Sequence, residues 1–231
     1  MGRLLFLLGG SEEIFDLVAE QFVPAAGGSQ ARIALLLMGG EGWERHLPGY
    51  VAPWERRGAA WEVVVPGADG ALDVEAARAQ LEQASGIFIG GGHSPTYHRL
   101  YATEPMRSLI RRRYRQGVPV AGLSAGALII PERCLMVGRA PGDPPLSRRR
   151  GLGLVRGMVV GVHFQEEARL APLLQAMART RTAQGLGIGE SACAVLENER
   201  LRRVLGRPLY QVTMTDFDSG SYAIKDVTSP A

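Results

Sequence analysis

The residues best suited to chemistry in this sequence are a serine, a histidine and a glutamate. "GLSAGA" at 122–127 contains Gly122-Leu123-Ser124-Ala125-Gly126, the G-x-S-x-G spacing. A sharp strand-to-helix turn with that pattern lifts a serine Oγ clear of a sheet. The flanking positions must be small because the backbone passes close to itself there. Such a serine attacks only with a base in hydrogen-bond reach and an acid that orients the base. Of His46, His93, His98 and His163, only His163 follows the serine. It sits at the end of the apolar run "MVVGVHF" (158–164), so it can reach the sheet edge that carries Ser124. For the acid, "GLGIGESACAVLE" offers Glu190 among small residues, where a buried carboxylate would need a partner. Glu132, Asp143, Glu166 and Glu167 are the other carboxylates that could serve; the last two follow His163 on the next expected helix and read as cap or surface charges.

Acyl transfer also requires backbone N–H groups aimed at a developing oxyanion. Ala125 can give one, and Gly91 or Gly92 in the "GGG" block (90–92) can give the other. The chain order is Ser124, His163, Glu190. Esterases of the α/β-hydrolase type run serine, acid, histidine, so this order is a different solution on a different fold.

The elements that must position these groups follow from apolar periodicity. "RLLFLLGG" (3–10), "RIALLLMGG" (32–40), "WEVVVPG" (61–67), "GIFIGGG" (86–92), "PVAGLS" (119–124) and "MVVGVHF" are continuous apolar runs, as parallel strands covered on both faces should be. Helical patterns lie between them. "SEEIFDLVAEQFV" starts on Ser11 as N-cap, and "DVEAARAQLEQA" (73–84) sets Val74, Ala77, Leu81 and Ala84 on one face. "EPMRSLIRRRYRQG" (104–117) ends at Gly117 as C-cap. The pattern predicts an α/β fold with a doubly wound, mostly parallel sheet and helices on both faces, whose ligands sit beyond the carboxyl ends of the strands. From about residue 185 onward, shorter and partly antiparallel strands are expected to complete or flank the sheet. One hydrolytic domain over 1–231 is expected. The Pro-, Gly- and Arg-rich stretch 138–151 reads as an exposed loop. The Gly pairs at 9–10 and 39–40 read as turns, and none begins a dinucleotide fingerprint.

Composition narrows the function classes. The chain has 231 residues, 46 % hydrophobic content and a net charge of +3, with Lys225 its single lysine. The apolar run Leu4–Leu8 is too short for a membrane span. Cys134 and Cys193 make neither a disulfide framework nor a metal-ligand spacing and suit a reducing compartment, so a cytoplasmic location is expected. The arginine runs at 111–115 and 148–150 are a weak signal for nucleic acid, and the first reads as a solvated helix face.

Four blocks, "GIFIGGGHSPTYHRL", "PVAGLSAGALII", "GLGLVRGMVVGVHFQEEARLAPLL" and "GLGIGESACAVLE", resemble in order and spacing the peptidase E/cyanophycinase family of serine peptidases, over roughly residues 1–215. The resemblance implies a three-layer fold similar to class I glutamine amidotransferases, with serine in place of their cysteine. It implies that Ser124 is the nucleophile, His163 the base and Glu190 the acid. His93 falls where relatives carry Asn or Gln against the substrate, and Arg169 is the surviving arginine after the base. Around that base, cyanophycinases resemble D-Q-H-F-S-Q-R-G-R, whereas here Gly161 and Val162 precede the histidine and Glu167 replaces the first arginine. The expectation is a dipeptidase E-like serine hydrolase of a peptide or isopeptide bond in a small peptide, such as one with N-terminal Asp, with cyanophycinase-like hydrolysis of β-aspartyl-arginine bonds as an alternative. It needs neither metal nor organic cofactor and acts as a monomer or homodimer without nucleic-acid or membrane partners. A non-catalytic binding protein on the same fold is the other alternative.

Overall fold

Thirteen strands and seven helices make up this computed structural model, which describes residues 2–136, 147–164 and 166–228. The strands are β1 (Leu4–Leu8), β2 (Arg32–Leu36), β3 (Ala60–Val64), β4 (Gly86–Ile89), β5 (Val120–Leu123), β6 (Arg133–Met136), β7 (Ser147–Arg150), β8 (Met158–Val162), β9 (Gln184–Ile188), β10 (Ala192–Glu197), β11 (Arg200–Gly206), β12 (Leu209–Asp216) and β13 (Ser221–Val227). The helices are α1 (Phe15–Ala25), α2 (Leu47–Glu55), α3 (Val74–Gln83), α4 (Ser94–Tyr101), α5 (Met106–Arg115), α6 (Ala125–Ile129) and α7 (Glu166–Thr180).

The main sheet has the order β11-β10-β1-β5-β4-β2-β3. Its five central and edge strands β1 to β5 are parallel, and β10 and β11 extend it antiparallel. Strand alternation divides the core into two faces. Leu5 and Leu7 pack with Leu36, Ile87 and Ile89 against Leu81, Tyr101 and Ile110 of α3, α4 and α5. Phe6 and Leu8 pack with Leu35 and Phe88 against Phe15, Phe22 and Trp54 of α1 and α2. The result is a three-layer α/β fold, as the continuous apolar runs predicted. Phe88 anchors the second face, with the rings of Phe15, Tyr50 and Trp54 at 5.7, 5.9 and 5.1 Å.

The predicted caps at Ser11 and Gly117 are in place, and Asp73 is a further one. Ser11 accepts a hydrogen bond from the Glu13 N–H, Asp73 accepts one from Ala76, and Gly117 follows α5 at φ +94°. Helix α2 carries Pro48 and Pro53, which hid it from a propensity reading. The run at 111–115 is only partly a solvated face. Arg113 is half-buried and donates to the carbonyls of Leu81 and Ala84 at 3.0 and 2.6 Å, capping the end of α3.

Three expectations change. Strand β8 leaves the main sheet and joins a second, four-stranded sheet in the order β13-β12-β9-β8, covered by α7. The C-terminal strands are not shorter. Strands β11 to β13 run to seven or eight residues against four or five in the parallel set, because antiparallel neighbours follow through short connections. Of the expected loop 138–151, residues 147–150 form β7 and pair with β6, while 137–146 lie outside the described residues.

Candidate active site

Strand β5 runs fully buried into Ser124, whose backbone sits at φ +49° and ψ −107°. A non-glycine residue there costs about 1–3 kcal/mol and persists only where its surroundings fix it. The Ser124 N–H donates to the Leu8 carbonyl at 3.0 Å, tying the turn to β1. Gly122 and Gly126 make the turn possible. A Cβ on Gly122 would lie 2.6 Å from the Gly126 carbonyl carbon, and one on Gly126 would lie 2.3 Å from the Ile89 oxygen. The small-residue spacing is therefore a packing requirement between β5, α6 and the end of β4.

His163 follows β8 and is held at φ +51°. Its Nε2 lies 2.7 Å from Ser124 Oγ, and its Nδ1 lies 2.7 Å from Glu190 Oε1. A carboxylate only accepts, so Nδ1 bears the hydrogen and, in the neutral ring, Nε2 is left to accept from the serine hydroxyl. The side chains are a quarter and a half exposed, 25 % for His163 and 49 % for Glu190. Glu190 is thus at the mouth of the site and not buried, as its small neighbours had suggested. Those neighbours make room for something else. Cβ atoms on Gly185 and Gly187 would meet Met177 and Phe164 at 2.6 Å.

Gly10 is a site residue that a turn reading conceals. A Cβ there would lie 2.1 Å from Glu190 Oε2 and 2.4 Å from His163 Nδ1, so only glycine lets the β1 end pass beneath the pair. The N–H groups of Gly10 and Ser11 both donate to the Glu190 carbonyl, at 3.2 and 2.9 Å. The recurrence of Gly-Gly after a strand was the available signal, because that is where parallel strands deliver backbone to a ligand edge.

The two glycine amides differ. Gly91 faces the serine, a Cβ on it lying 3.4 Å from Ser124 Cβ, but its N–H is donated to Tyr50 Oη at 3.1 Å. This corrects Gly91 as an equal candidate donor, since its hydrogen is already engaged. Burial raises the Tyr50 pKa, so its oxygen stays a neutral hydroxyl. Gly92 (φ +143°) and Ala125, the first residue of α6, remain as candidate donors.

Ser124, His163 and Gly92 line two cavities. The smaller, about 110 Å³, holds His93 and Arg169 among Leu128, Val162 and Leu173. The larger, about 500 Å³, holds Glu12, Glu41, Trp43, His46 and Tyr50. Arg169 forms no ion pair with any described residue, whereas the His93 ring lies 2.9 Å from Thr96 Oγ1. Among the other carboxylates, Glu132 is tied through its backbone to Val155 and Gly151, Asp143 lies outside the described residues, and so do the side chains of Glu166 and Glu167. Burial pushes the Cys134 thiol up to about 12 and raises that of Cys193, so neither is a thiolate at neutral pH. Among the described residues, no three His, Cys, Asp or Glu side chains gather to hold a metal ion, and no helix is long and apolar enough to cross a membrane.

A three-layer α/β sheet with serine, histidine and glutamate aligned at the carboxyl edge is the framework of a serine-type hydrolase. The profile of peptidase family S51 matches residues 5–204, and the chain belongs to that family. It is 34 % identical over 144 residues to a cyanophycinase from Trichormus variabilis, an alignment covering 60 % of this chain and 47 % of that one. A cyanophycinase from Geminocystis herdmanii is 31 % identical over 147 residues, covering 62 % and 53 %. The chain spans about half the length of these curated relatives. Among solved structures, a peptidase from an acI-B1 Actinobacterium superposes with a TM-score of 0.72 at 17 % identity, covering 100 % of this chain and 96 % of that one. A putative peptidase E protein from Listeria monocytogenes gives 0.62 at 12 % identity, covering 99 % and 100 %. These two likenesses concern the fold.

Proposed function

We propose that this chain is a serine peptidase that hydrolyses a peptide or isopeptide bond in a small peptide. The observation that carries this is the Ser124–His163–Glu190 relay, with both contacts at 2.7 Å, in a member of a peptidase family. Ser124 Oγ attacks the scissile carbonyl while His163 Nε2 takes its proton. The N–H groups of Gly92 and Ala125 receive the oxyanion. His163 then protonates the leaving amine, and Glu190 holds the ring and stabilises its charged form. Water repeats the sequence on the acyl-enzyme and releases the acid. The whole chain acts as one hydrolytic unit.

The two cavities suggest how a substrate lies. An acidic side chain on the acyl residue fits the smaller cavity, lined by His93 and by Arg169, which forms no ion pair with any described residue. This supports dipeptidase E-like cleavage after an N-terminal Asp. The carboxylates of Glu12 and Glu41 in the larger cavity favour a second reading, a substrate bearing a cation, as in a β-aspartyl-arginine peptide.

A fluorophosphonate probe tests the nucleophile. The wild-type chain is expected to be labelled and to hydrolyse a dipeptide with N-terminal Asp. Ser124→Ala is expected to lose both while keeping its circular dichroism spectrum. Labelling that persists in Ser124→Ala would overturn the assignment. An unlabelled wild-type chain, inactive on dipeptides beginning with Asp, Glu or apolar residues, would favour a binding protein. Arg169→Ala separates the substrate readings: a raised KM for Asp dipeptides with unchanged KM for apolar ones supports the acidic pocket.

A further inference from the structure

A further cavity with its own chemistry lies where β1 begins, at the end of the parallel strands away from Ser124. It measures about 310 Å³, the lower end of small-molecule pockets, and is lined by Arg3, Arg111, Tyr114, Arg115, Arg156 and Glu199 among others. Four guanidinium groups thus face one carboxylate. That carboxylate is already engaged: Glu199 lies 3.5 Å from Arg3 Nη2 and accepts the Arg156 backbone N–H at 3.3 Å. Arg111, Arg115 and Arg156 form no ion pair with any described residue. The crowding is felt electrostatically. Burial lowers the Arg111 pKa, and the neighbouring Arg115, Arg150, Arg107 and Arg156 lower it further.

The second observation is independent of charge. Tyr114 is 2 % exposed, and its Oη is, among the described residues, the buried side-chain polar atom with no hydrogen-bond partner. Its ring lies under the Arg3 guanidinium, 5.6 Å from Cζ to the centroid. A buried hydroxyl without a partner is costly and calls for an explanation. An anion resolves both features, accepting from the hydroxyl and neutralising the arginines. Guanidinium forks match tetrahedral oxyanions through paired N–H groups. The arginines surround a concavity and do not form a flat stripe, which favours a compact ligand over a polymer.

We propose that this pocket binds a compact phosphate-bearing anion, held through a phosphoanhydride group by Arg111, Arg115, Arg156 and the Tyr114 hydroxyl. The ligand could be free pyrophosphate or the phosphate tail of a nucleotide, and two titration arms distinguish them. The full chain is titrated calorimetrically with pyrophosphate and, separately, with ATP. Saturable one-to-one binding of pyrophosphate is expected. Equal affinity for ATP assigns the phosphoanhydride alone, and tighter ATP binding adds the nucleoside. Arg111→Gln with Arg115→Gln is expected to weaken pyrophosphate binding at least tenfold, and the exposed Arg115→Gln alone severalfold should the double variant fail to fold. Tyr114→Phe is expected to weaken binding severalfold and to raise the melting temperature of the unliganded protein, because the orphan hydroxyl is gone. Absence of saturable pyrophosphate binding, unchanged affinity in Arg115→Gln and Tyr114→Phe, or tighter binding of a single-stranded DNA or RNA oligomer than of pyrophosphate would overturn the proposal.

Discussion

The two ends of the parallel strands are furnished in opposite ways. At the carboxyl end the groups around Ser124 satisfy one another. Ser124 meets His163, His163 meets Glu190, and Gly91 meets Tyr50. At the amino end four arginines line a pocket with one carboxylate, which pairs with Arg3, and a tyrosine hydroxyl has no partner among the described residues. The carboxyl end is a preorganised relay, complete without a ligand and strained at two backbone positions. The amino end has one carboxylate for its four guanidinium groups. A closed hydrogen-bond network is read best by breaking one member, and an open cluster of like charges by relieving it.

Ser124→Ala breaks the relay at the atom proposed to attack. Turnover is expected to fall by about 10⁴-fold or more, with the melting temperature within a few degrees of wild type. Single-turnover kinetics on the substrate that labels the wild-type site checks this. Glu190→Gln removes the charge that holds the imidazole, and kcat is expected to fall by about 10²- to 10⁴-fold. Gly10→Ala tests whether the close approach beneath the relay matters. Its new methyl would overlap His163 and Glu190, and displacing the ring is expected to reduce kcat by about 10²-fold, measured alongside a crystal structure of the variant. A Gly10→Ala enzyme with wild-type kcat would show that the site adjusts freely.

At the other end the effects are smaller and of opposite sign. Arg115→Gln relieves repulsion and is expected to stabilise the unliganded fold by up to about 0.5 kcal/mol at low salt, the gain vanishing at high salt. Urea unfolding at two ionic strengths measures it. His98 lies on α4 with its Nε2 3.0 Å from the Arg150 carbonyl. Burial, then Arg149 and Arg107, lower its pKa below the usual 6.5. The unfolded chain therefore takes up a proton first as pH falls, and stability drops from pH 7 through 6.5 until the folded ring also protonates. His98→Gln is expected to lose less of its melting temperature between about pH 7.5 and 5.5.

The relay was legible because its parts have local signatures. Ser124 sits in a spacing that only a sharp turn requires, and His163 closes an apolar run. Glu190 was found by the wrong argument: its small neighbours pack against Phe164 and Met177, and its own side chain is half exposed. Gly10 and Tyr50 were not legible, since each reaches the site through contacts with residues far away in sequence. The same holds for the arginine pocket, where Arg3, Arg111 and Arg156 converge from three separate segments.

The sequence by itself determined the continuous parallel strands, the helix caps at Ser11 and Gly117, the strand-to-helix elbow and the order of serine, histidine and glutamate. These rest on periodicity, backbone sterics and residue chemistry within a few positions. Tertiary structure decided that β8 belongs to a second sheet, that Gly91 gives its hydrogen to Tyr50, and that guanidinium groups gather at the far strand ends. Such outcomes depend on crossovers and registers chosen by the summed burial of distant apolar faces, a quantity that no local pattern contains.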